Sequence, residues 1–183
     1  MTPRAITIRL AEPRDAQAIA AMSRDLIESG LGWKYDAARV LRAMRDRETL
    51  TVVACESAKT AAPAARGAVT GFAIMELGDE RAHLVLLAVR PSHRRLGIGQ
   101  RLLDWLLESA RVAGMASLHL ELRAGNDAAR RFYRAMGFYE TVLVPGYYRS
   151  GEGRKEGALR MLRVLRTPGP VPYTWRPPKT EDT

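Results

Sequence analysis

A short basic segment that contains glycine is the sharpest chemical signal in the chain. Arg94 and Arg95 precede Gly97 and Gly99, where a helical pattern begins after an apolar run. The first N–H groups of a helix have no partner within it and lie at its positive end, so they favour anions. The glycines allow close approach to the backbone, and the guanidinium groups add charge-assisted contacts. The segment therefore predicts a phosphate or pyrophosphate site.

The two glycines also suit a purely structural role, since they allow a helix to pack closely on a strand. The dinucleotide fingerprint G-x-G-x-x-G needs a third glycine where the chain has Leu102, and the P-loop pattern is absent. Taken alone, the G-x-G spacing favours the packing role. The phosphate prediction therefore needs a second motif.

A carboxylate at Glu121 interrupts a run of alternating leucines and therefore faces away from them. Glutamate is seldom fully buried unless it is paired. One possible reason is pairing with Arg123 or His119. The second is catalysis, in which burial raises the pKa of the Glu121 carboxyl and lets it take a proton. His83 and His119 are weaker candidates for the base. The sequence shows no metal-ligand cluster, so no metal is expected.

The elements that hold these residues follow from hydrophobic periodicity. Strands are predicted at residues 6–10, 49–55, 69–77, 84–89, 118–122, 139–144 and 158–165. Helices are predicted to begin at Pro13, after Asp36, at Gly97 and at Asn126. The order β-α-α-β-β-β-α-β-α-β-β predicts a single mixed α/β sheet with helices on both faces.

Composition sets two segments apart and limits the class of protein. Residues 57–65 are rich in Ala, Ser, Lys and Pro and predict a long hairpin tip. Five prolines after Thr167 exclude a regular helix, so a domain at 1–166 and a Pro-rich tail at 167–183 are predicted. Cys55 is the single cysteine, which excludes an intrachain disulfide, and no apolar run reaches membrane-spanning length. We expect a soluble cytoplasmic protein without a membrane partner.

The chain carries a net charge of +9, which attracts anions. Nucleic acid, ribosomes, acidic proteins and a phosphorylated cofactor are all compatible with it. A charged, solubilising surface accounts for it equally well.

Two motifs follow one another along the chain: Arg94-x-x-Gly97-x-Gly99 after an apolar strand, and Asn126 followed by Phe132-Tyr133-x-x-x-Gly137-Phe138. Together they resemble the GNAT superfamily of N-acetyltransferases, over most of the chain. The resemblance implies an α/β (α+β) domain with a mixed, mostly antiparallel sheet. It also implies a central parallel pair, at residues 84–89 and 117–122, that splays apart to hold acetyl-coenzyme A (acetyl-CoA).

The resemblance assigns cofactor contacts to particular residues. The pantetheine arm would bind the backbone of Leu87, Ala88 and Val89. The pyrophosphate would bind Arg94, Arg95, Leu96, Gly97, Ile98, Gly99 and Gln100. Asn126 and Arg130 would contact the pantetheine or the nucleotide end.

Catalytic roles also follow from the resemblance. A thiol has a pKa of ~8.5, so a nearby acid that protonates the sulfur of coenzyme A helps it to leave. Tyr133 occupies the position of the family's tyrosine acid, and Glu121 would be the base. The backbone N–H near Val89 would polarise the carbonyl.

The strand Glu121, the helix Tyr133 and the pair Tyr147-Tyr148 resemble ribosomal-protein-alanine and other protein N-terminal acetyltransferases. An α-amino group has a pKa of ~7.8, whereas the pKa of lysine is ~10.4. A modest base therefore suffices to deprotonate an α-amino group. Tyr147, Tyr148 and Trp33 would line the acceptor side. Acetylation of a small amine such as a polyamine or aminoglycoside stays open, as does a non-catalytic acyl-CoA-binding fold. Nucleic acid is disfavoured as a partner, and a homodimer is left open.

Overall fold

The structure is a computed structural model that describes residues 5–31, 34–56, 67–149 and 155–166. Trp33, the predicted hairpin tip at 57–65 and the predicted tail at 167–183 lie outside the described residues. The elements are β1 (Ile6–Leu10), a 3-10 turn (Pro13–Asp15), α1 (Ala16–Leu26), α2 (Ala37–Arg45), β2 (Thr49–Glu56), β3 (Val69–Leu77), β4 (Arg81–Val89), a second 3-10 turn (Pro91–His93), α3 (Ile98–Val112), β5 (Ser117–Arg123), α4 (Asp127–Ala135), β6 (Tyr139–Arg149) and β7 (Lys155–Val164).

The described strands form one sheet in the order β1-β2-β3-β4-β5-β7-β6. The β4–β5 pair is parallel and the other neighbours are antiparallel. This arrangement confirms the predicted mixed sheet with a central parallel pair.

Both faces of the sheet bury an apolar layer, as the alternating patterns predict. On one face, α3 contributes Leu102 and Leu106 to a core that includes Leu120 of β5. On the other face, Ile19 of α1 packs in a core with Phe72 of β3. Fully burying such a side chain contributes about 1.5–3 kcal/mol, so these two layers hold the sheet rigid beneath the site. Among the described residues, no helix has the length and apolar character needed to cross a membrane.

A bulge in strand β4 reverses which of its residues point to each face of the sheet. Ile74 pairs with Leu86 whereas the next residue of β3, Met75, pairs with Leu84, which leaves Val85 as an extra residue. Leu84 consequently belongs to the core under α3, while Leu86 belongs to the core under α1. The apolar run in β4 is therefore covered on both faces, as predicted. The residues that point to each core change at the bulge.

The parallel ladder between β4 and β5 is short. It joins Arg81 to Ser117, Ala82 to Leu118 and His83 to His119, and no pairing follows within the described strands. Beyond His83 and His119 the strands separate and leave a cleft toward their carboxyl ends.

Several strand boundaries differ from the predictions; β7, for example, begins at Lys155 instead of residue 158. Strand β4 begins at Arg81 because this polar residue can still join the backbone ladder. Strand β6 continues past Val144 to Arg149, across the Pro145-Gly146 pair. A register shift between Val144 and Tyr148 accommodates that pair.

Candidate active site

A cavity of about 630 Å³ opens between the end of β4, the start of α3 and helix α4. The predicted cofactor residues that line it are Leu87, Ala88, Val89, Arg94, Arg95, Gly97, Ile98, Gly99, Gln100 and Asn126. The side chains of two predicted residues do not line it. Leu96 is exposed, and Arg130 donates to both carboxylate oxygens of Glu140, at 2.6 and 2.7 Å.

The start of α3 has the backbone geometry of an anion cradle. Arg95 (φ 65°) and Gly97 (φ 72°) both adopt the left-handed conformation, which is unfavourable for arginine and is found at functional turns. The backbone N–H of Arg101 donates to the carbonyl of Gly97 at 3.0 Å, so the N–H groups of Ile98, Gly99 and Gln100 precede the first bond of the helix.

Gly99 keeps the cradle open. A Cβ at this position would lie 3.5 Å from the Phe132 ring and 3.7 Å from Cγ2 of Val89, and so would occupy the space between them. Backbone donors, two arginines and the absence of a side chain together suit a pyrophosphate, so the cradle fits the nucleotide part of acetyl-CoA.

Helix α4 brings Tyr133 to the same cavity. The side chain of Asn126 caps this helix by accepting from the Ala129 N–H at 3.1 Å. The Tyr133 ring packs edge-on against Phe132 and Phe138, with centroids 5.1 and 5.5 Å away. Burial raises the pKa of the Tyr133 phenol, because the charged phenolate loses its solvation. Tyr133 therefore stays protonated at neutral pH and can act as a proton donor.

The sequence patterns did not identify several residues that line this cavity. Ala128, Ala129 and Phe132 lie on the same side of α4 as Tyr133, and Leu26 and His93 complete the wall. The i, i+4 relation between Ala129 and Tyr133 is the signal that identifies this face of α4.

A second cavity, of about 640 Å³, lies against the face of β5 that Glu121 occupies. Tyr147 and Tyr148, which were predicted for the acceptor side, line it with their ring centroids 5.0 Å apart. Strand β4 contributes Val85 and Leu86 to the same cavity. Trp33, the third residue predicted for this side, is outside the part of the chain that the structure describes.

Glu121 is held by two basic side chains. Its Oε2 lies 2.8 Å from Nε2 of His83, and its Oε1 accepts from Nε of Arg160 at 2.8 Å. The hydrogen bond with His83 is the main cause that lowers the pKa of Glu121, to about 2, with Arg160 adding to it against the opposing effect of burial. The predicted increase in this pKa is therefore wrong.

The predicted partners of Glu121 differ as well. Arg123 donates to Glu156 at 2.7 Å. His119 stacks on His83, with ring centroids 4.6 Å apart and an interplanar angle of 7°. The sequence could not identify His83 as the partner, because that contact depends on the register between β4 and β5.

His83, His119 and Glu121 bring potential metal-ligand atoms within 4.8 Å of one another. Both carboxylate oxygens already face basic groups, which is the arrangement of an ion-pair network. Burial lowers the pKa of His119 and favours its neutral form. Its buried Nδ1 has no hydrogen-bond partner among the described residues.

Glu28 anchors residues 34 and 35, which precede α2, at the edge of this cavity, and no sequence pattern indicated this role. Its carboxylate accepts from the Ser23 hydroxyl at 2.8 Å and from the backbone N–H groups of Lys34 and Tyr35, at 2.8 and 3.2 Å. The side chain is buried, so these bonds tie residues 34 and 35 to the chain just after α1.

Comparison with known proteins agrees with this geometry. The ribosomal protein bS18-alanine N-acetyltransferase of Escherichia coli is 35% identical over 98 residues, which cover 54% of this chain. The match spans 66% of that relative, just under two thirds of its length. The solved E. coli ribosomal-protein-S18-alanine N-acetyltransferase is 27% identical, with a TM-score of 0.71 over 92% of this chain and 99% of its own.

A further solved structure supports the fold. It is yncA of Salmonella typhimurium with its cofactor acetyl-CoA, which is 24% identical with a TM-score of 0.72, over 89% of this chain and 95% of its own. The sequence model described as the Acetyltransferase (GNAT) family matches residues 21–138. Since that match spans most of the chain and both central strands, this protein belongs to the GNAT family of acetyltransferases.

Proposed function

We propose that this chain is an acetyl-CoA-dependent N-acetyltransferase whose acceptor is the α-amino group of a protein or peptide N-terminus. One observation carries the proposal: two cavities adjoin the separated strands β4 and β5. One contains the anion cradle and Tyr133, and the other contains Glu121. The names of the E. coli relatives support an N-terminal acceptor.

On the donor side, the start of α3 with Arg94 and Arg95 would hold the pyrophosphate of acetyl-CoA. The backbone of β4 from Leu87 to Val89 lines the same cavity and would bind the pantetheine arm. Acetyl-CoA supplies an acetyl group that is activated as a thioester. Tyr133 keeps a proton on its buried phenol and would protonate the leaving sulfur.

On the acceptor side, we assign proton removal to the Glu121 centre, which comprises Glu121, His83 and Arg160. Glu121 is ionised at neutral pH and attracts an incoming ammonium group. An α-amino group is easier to deprotonate than lysine by roughly 2.6 pKa units, equivalent to about 3.5 kcal/mol. A centre without a strong base is therefore better suited to an N-terminus.

An acceptor screen tests this proposal. Labelled acetyl-CoA is offered to peptides with a free N-terminus, to lysine peptides with a blocked N-terminus, and to polyamines and aminoglycosides. We expect label on the free N-termini, and Glu121→Gln and Tyr133→Phe to reduce it. Labelling of small amines alone would overturn the N-terminal acceptor. Binding of acetyl-CoA without any labelled acceptor would favour a non-catalytic acyl-CoA-binding protein.

A further inference from the structure

We propose that His83 is the catalytic base that takes the proton from the acceptor amine, and that Glu121 is a positioning residue which orients it. This inference rests on the proposed function and names the proton acceptor within the Glu121 centre. His83 lines the acceptor cavity and is the more exposed of the two side chains, at 31% against 9% for Glu121.

The hydrogen bond between the two residues determines which ring nitrogen is available. An ionised carboxylate only accepts hydrogen bonds, so Nε2 of a neutral His83 carries the hydrogen that faces Oε2 of Glu121 at 2.8 Å. The lone pair then belongs to Nδ1, which makes no hydrogen bond within the described ranges. A carboxylate that fixes the tautomer of a histidine base is a recurring arrangement in enzymes.

The surroundings hold the imidazole in place from two further sides. His119 stacks parallel to His83 and restricts rotation of the ring. Arg160 holds the other oxygen of Glu121, so the carboxylate cannot turn away from His83. Because burial favours the neutral form of His119, the stacked ring does not repel an imidazolium at His83.

The charged groups that line the cavity with His83, together with Arg160, comprise three carboxylates and three cations. Carboxylates come from Glu28 of the α1–α2 loop, Glu76 of β3 and Glu121 of β5. Cations come from Lys34 of that loop, Arg39 of α2 and Arg160 of β7. The other titratable neighbours are His119, Tyr35, Tyr147 and Tyr148.

Glu121 itself is a poor candidate for the base. Glu121 is held as an anion by both of its partners, and its lowered pKa makes it a weak acceptor for the proton of an ammonium group. Imidazole is the side-chain type that ordinarily exchanges protons near neutral pH.

The proton transfer balances without any other reactant. One N–H bond of the acceptor ammonium breaks and a new N–H bond forms at Nδ1 of His83. The acceptor becomes a neutral amine, the imidazole becomes an imidazolium, and water receives that proton after each turnover.

The protonation state can be tested in the free protein, without substrate. Long-range ¹H–¹⁵N NMR spectra report the tautomer of each imidazole, and His83→Gln and His119→Gln variants assign the signals. We expect neutral His83 to carry its hydrogen on Nε2. A hydrogen on Nδ1 would overturn the proposal. Because acetyl transfer is not involved, this result does not depend on the proposed function.

Chemical rescue tests the catalytic role. With acetyl-CoA and a peptide that begins with alanine, we expect His83→Ala to lower kcat by about 10²-fold or more. Added imidazole should restore activity to this variant in a saturable manner. Glu121→Gln should not respond to imidazole, because its own histidine still occupies the space.

Folding of each variant is checked by coenzyme A binding, and His83→Asn replaces His83→Ala if the latter does not fold. A folded His83 variant with a kcat within twofold of wild type overturns the proposal. A His83 variant that loses activity but keeps the wild-type pH profile of kcat also overturns the proposal. If the wild-type protein acetylates no free N-terminus, the proposed function fails, and the tautomer measurement still decides the state of His83.

Discussion

Glu121 and Arg160 lie directly opposite each other on the antiparallel strands β5 and β7, and Nε of Arg160 donates to Oε1 of Glu121 at 2.8 Å. This cross-strand pair joins the cavity beside Glu121 to the outer strands β7 and β6. Because His83 holds the second oxygen, three strands meet at a single carboxylate.

The lowered pKa of Glu121 gives the folded state a specific pH dependence. The folded pKa, about 2, lies below the ordinary value of 4.5, so the stabilisation is complete above the unfolded pKa and lost as the pH falls through the folded value. We expect Glu121→Gln to cost about 1–2 kcal/mol at pH 6, after allowance for solvent screening of the half-exposed Arg160. Denaturant unfolding of both proteins from pH 6 to pH 2 should show this difference narrowing. A difference in unfolding free energy that stays constant with pH would contradict the lowered pKa of Glu121.

The phenol of Tyr133 is expected to contribute to catalysis and little to folding. Tyr133→Phe keeps the ring that packs against Phe132 and Phe138, and removes only the hydroxyl. We expect kcat to fall about 10²-fold while the Kd for coenzyme A and the Tm stay close to wild type. The matched control is Tyr139→Phe at an exposed position, which should leave all three quantities unchanged. An equal loss in both variants would remove Tyr133 from the mechanism.

Substitutions at two glycines, which lie at opposite ends of α3, distinguish an effect on folding from an effect on cofactor binding. Gly97 (φ 72°) and Gly114 (φ 78°) both adopt the left-handed conformation, and a Cβ at either would contact nothing within 4 Å. Alanine at either position should therefore lower the free energy of unfolding by about 1–2 kcal/mol. Only Gly97→Ala should also weaken coenzyme A binding in calorimetry, because only Gly97 belongs to the cradle. Equal affinities in the two variants would argue against the cradle.

Loss of the Glu28 carboxylate should weaken binding of the acceptor peptide more than binding of the cofactor. Glu28→Ala leaves the buried N–H of Tyr35 and the N–H of Lys34 without their acceptor, which we expect to cost about 2–3 kcal/mol of stability. Steady-state kinetics should show a higher KM for the peptide with an unchanged KM for acetyl-CoA. Ser23→Ala removes just one donor to Glu28 and should have a smaller effect in the same direction. A higher KM for acetyl-CoA instead would place the loop on the donor side.

Local patterns predicted the parts of the site that a single strand–turn–helix unit contains. The cradle from Arg94 to Gly99 needs only β4, the turn and the start of α3, so its spacing suggested an anion site, and the second motif with the family resemblance linked that site to coenzyme A. Tyr133 followed from the family resemblance, and its burial agrees with its position on an amphipathic helix.

Contacts that depend on the register between strands could not be predicted in this way. His83 and Glu121 are 38 residues apart and meet only because β4 and β5 run parallel for three pairs before they separate. The bulge at Val85 likewise reverses which residues of β4 face each core, and nothing in an unbroken apolar run indicates where such a reversal occurs.

The short ladder between β4 and β5 leaves an unpaired strand edge in the interior of the sheet. Past His83, β4 keeps β3 on one side and, within the described chain, has no strand on the other. An unpaired edge at the rim of a sheet invites another polypeptide to add to it. Here β5, β7 and β6 lie beyond the edge. The unpaired part of β4 is therefore shielded by the sheet itself from the edge-to-edge contacts that lead to aggregation.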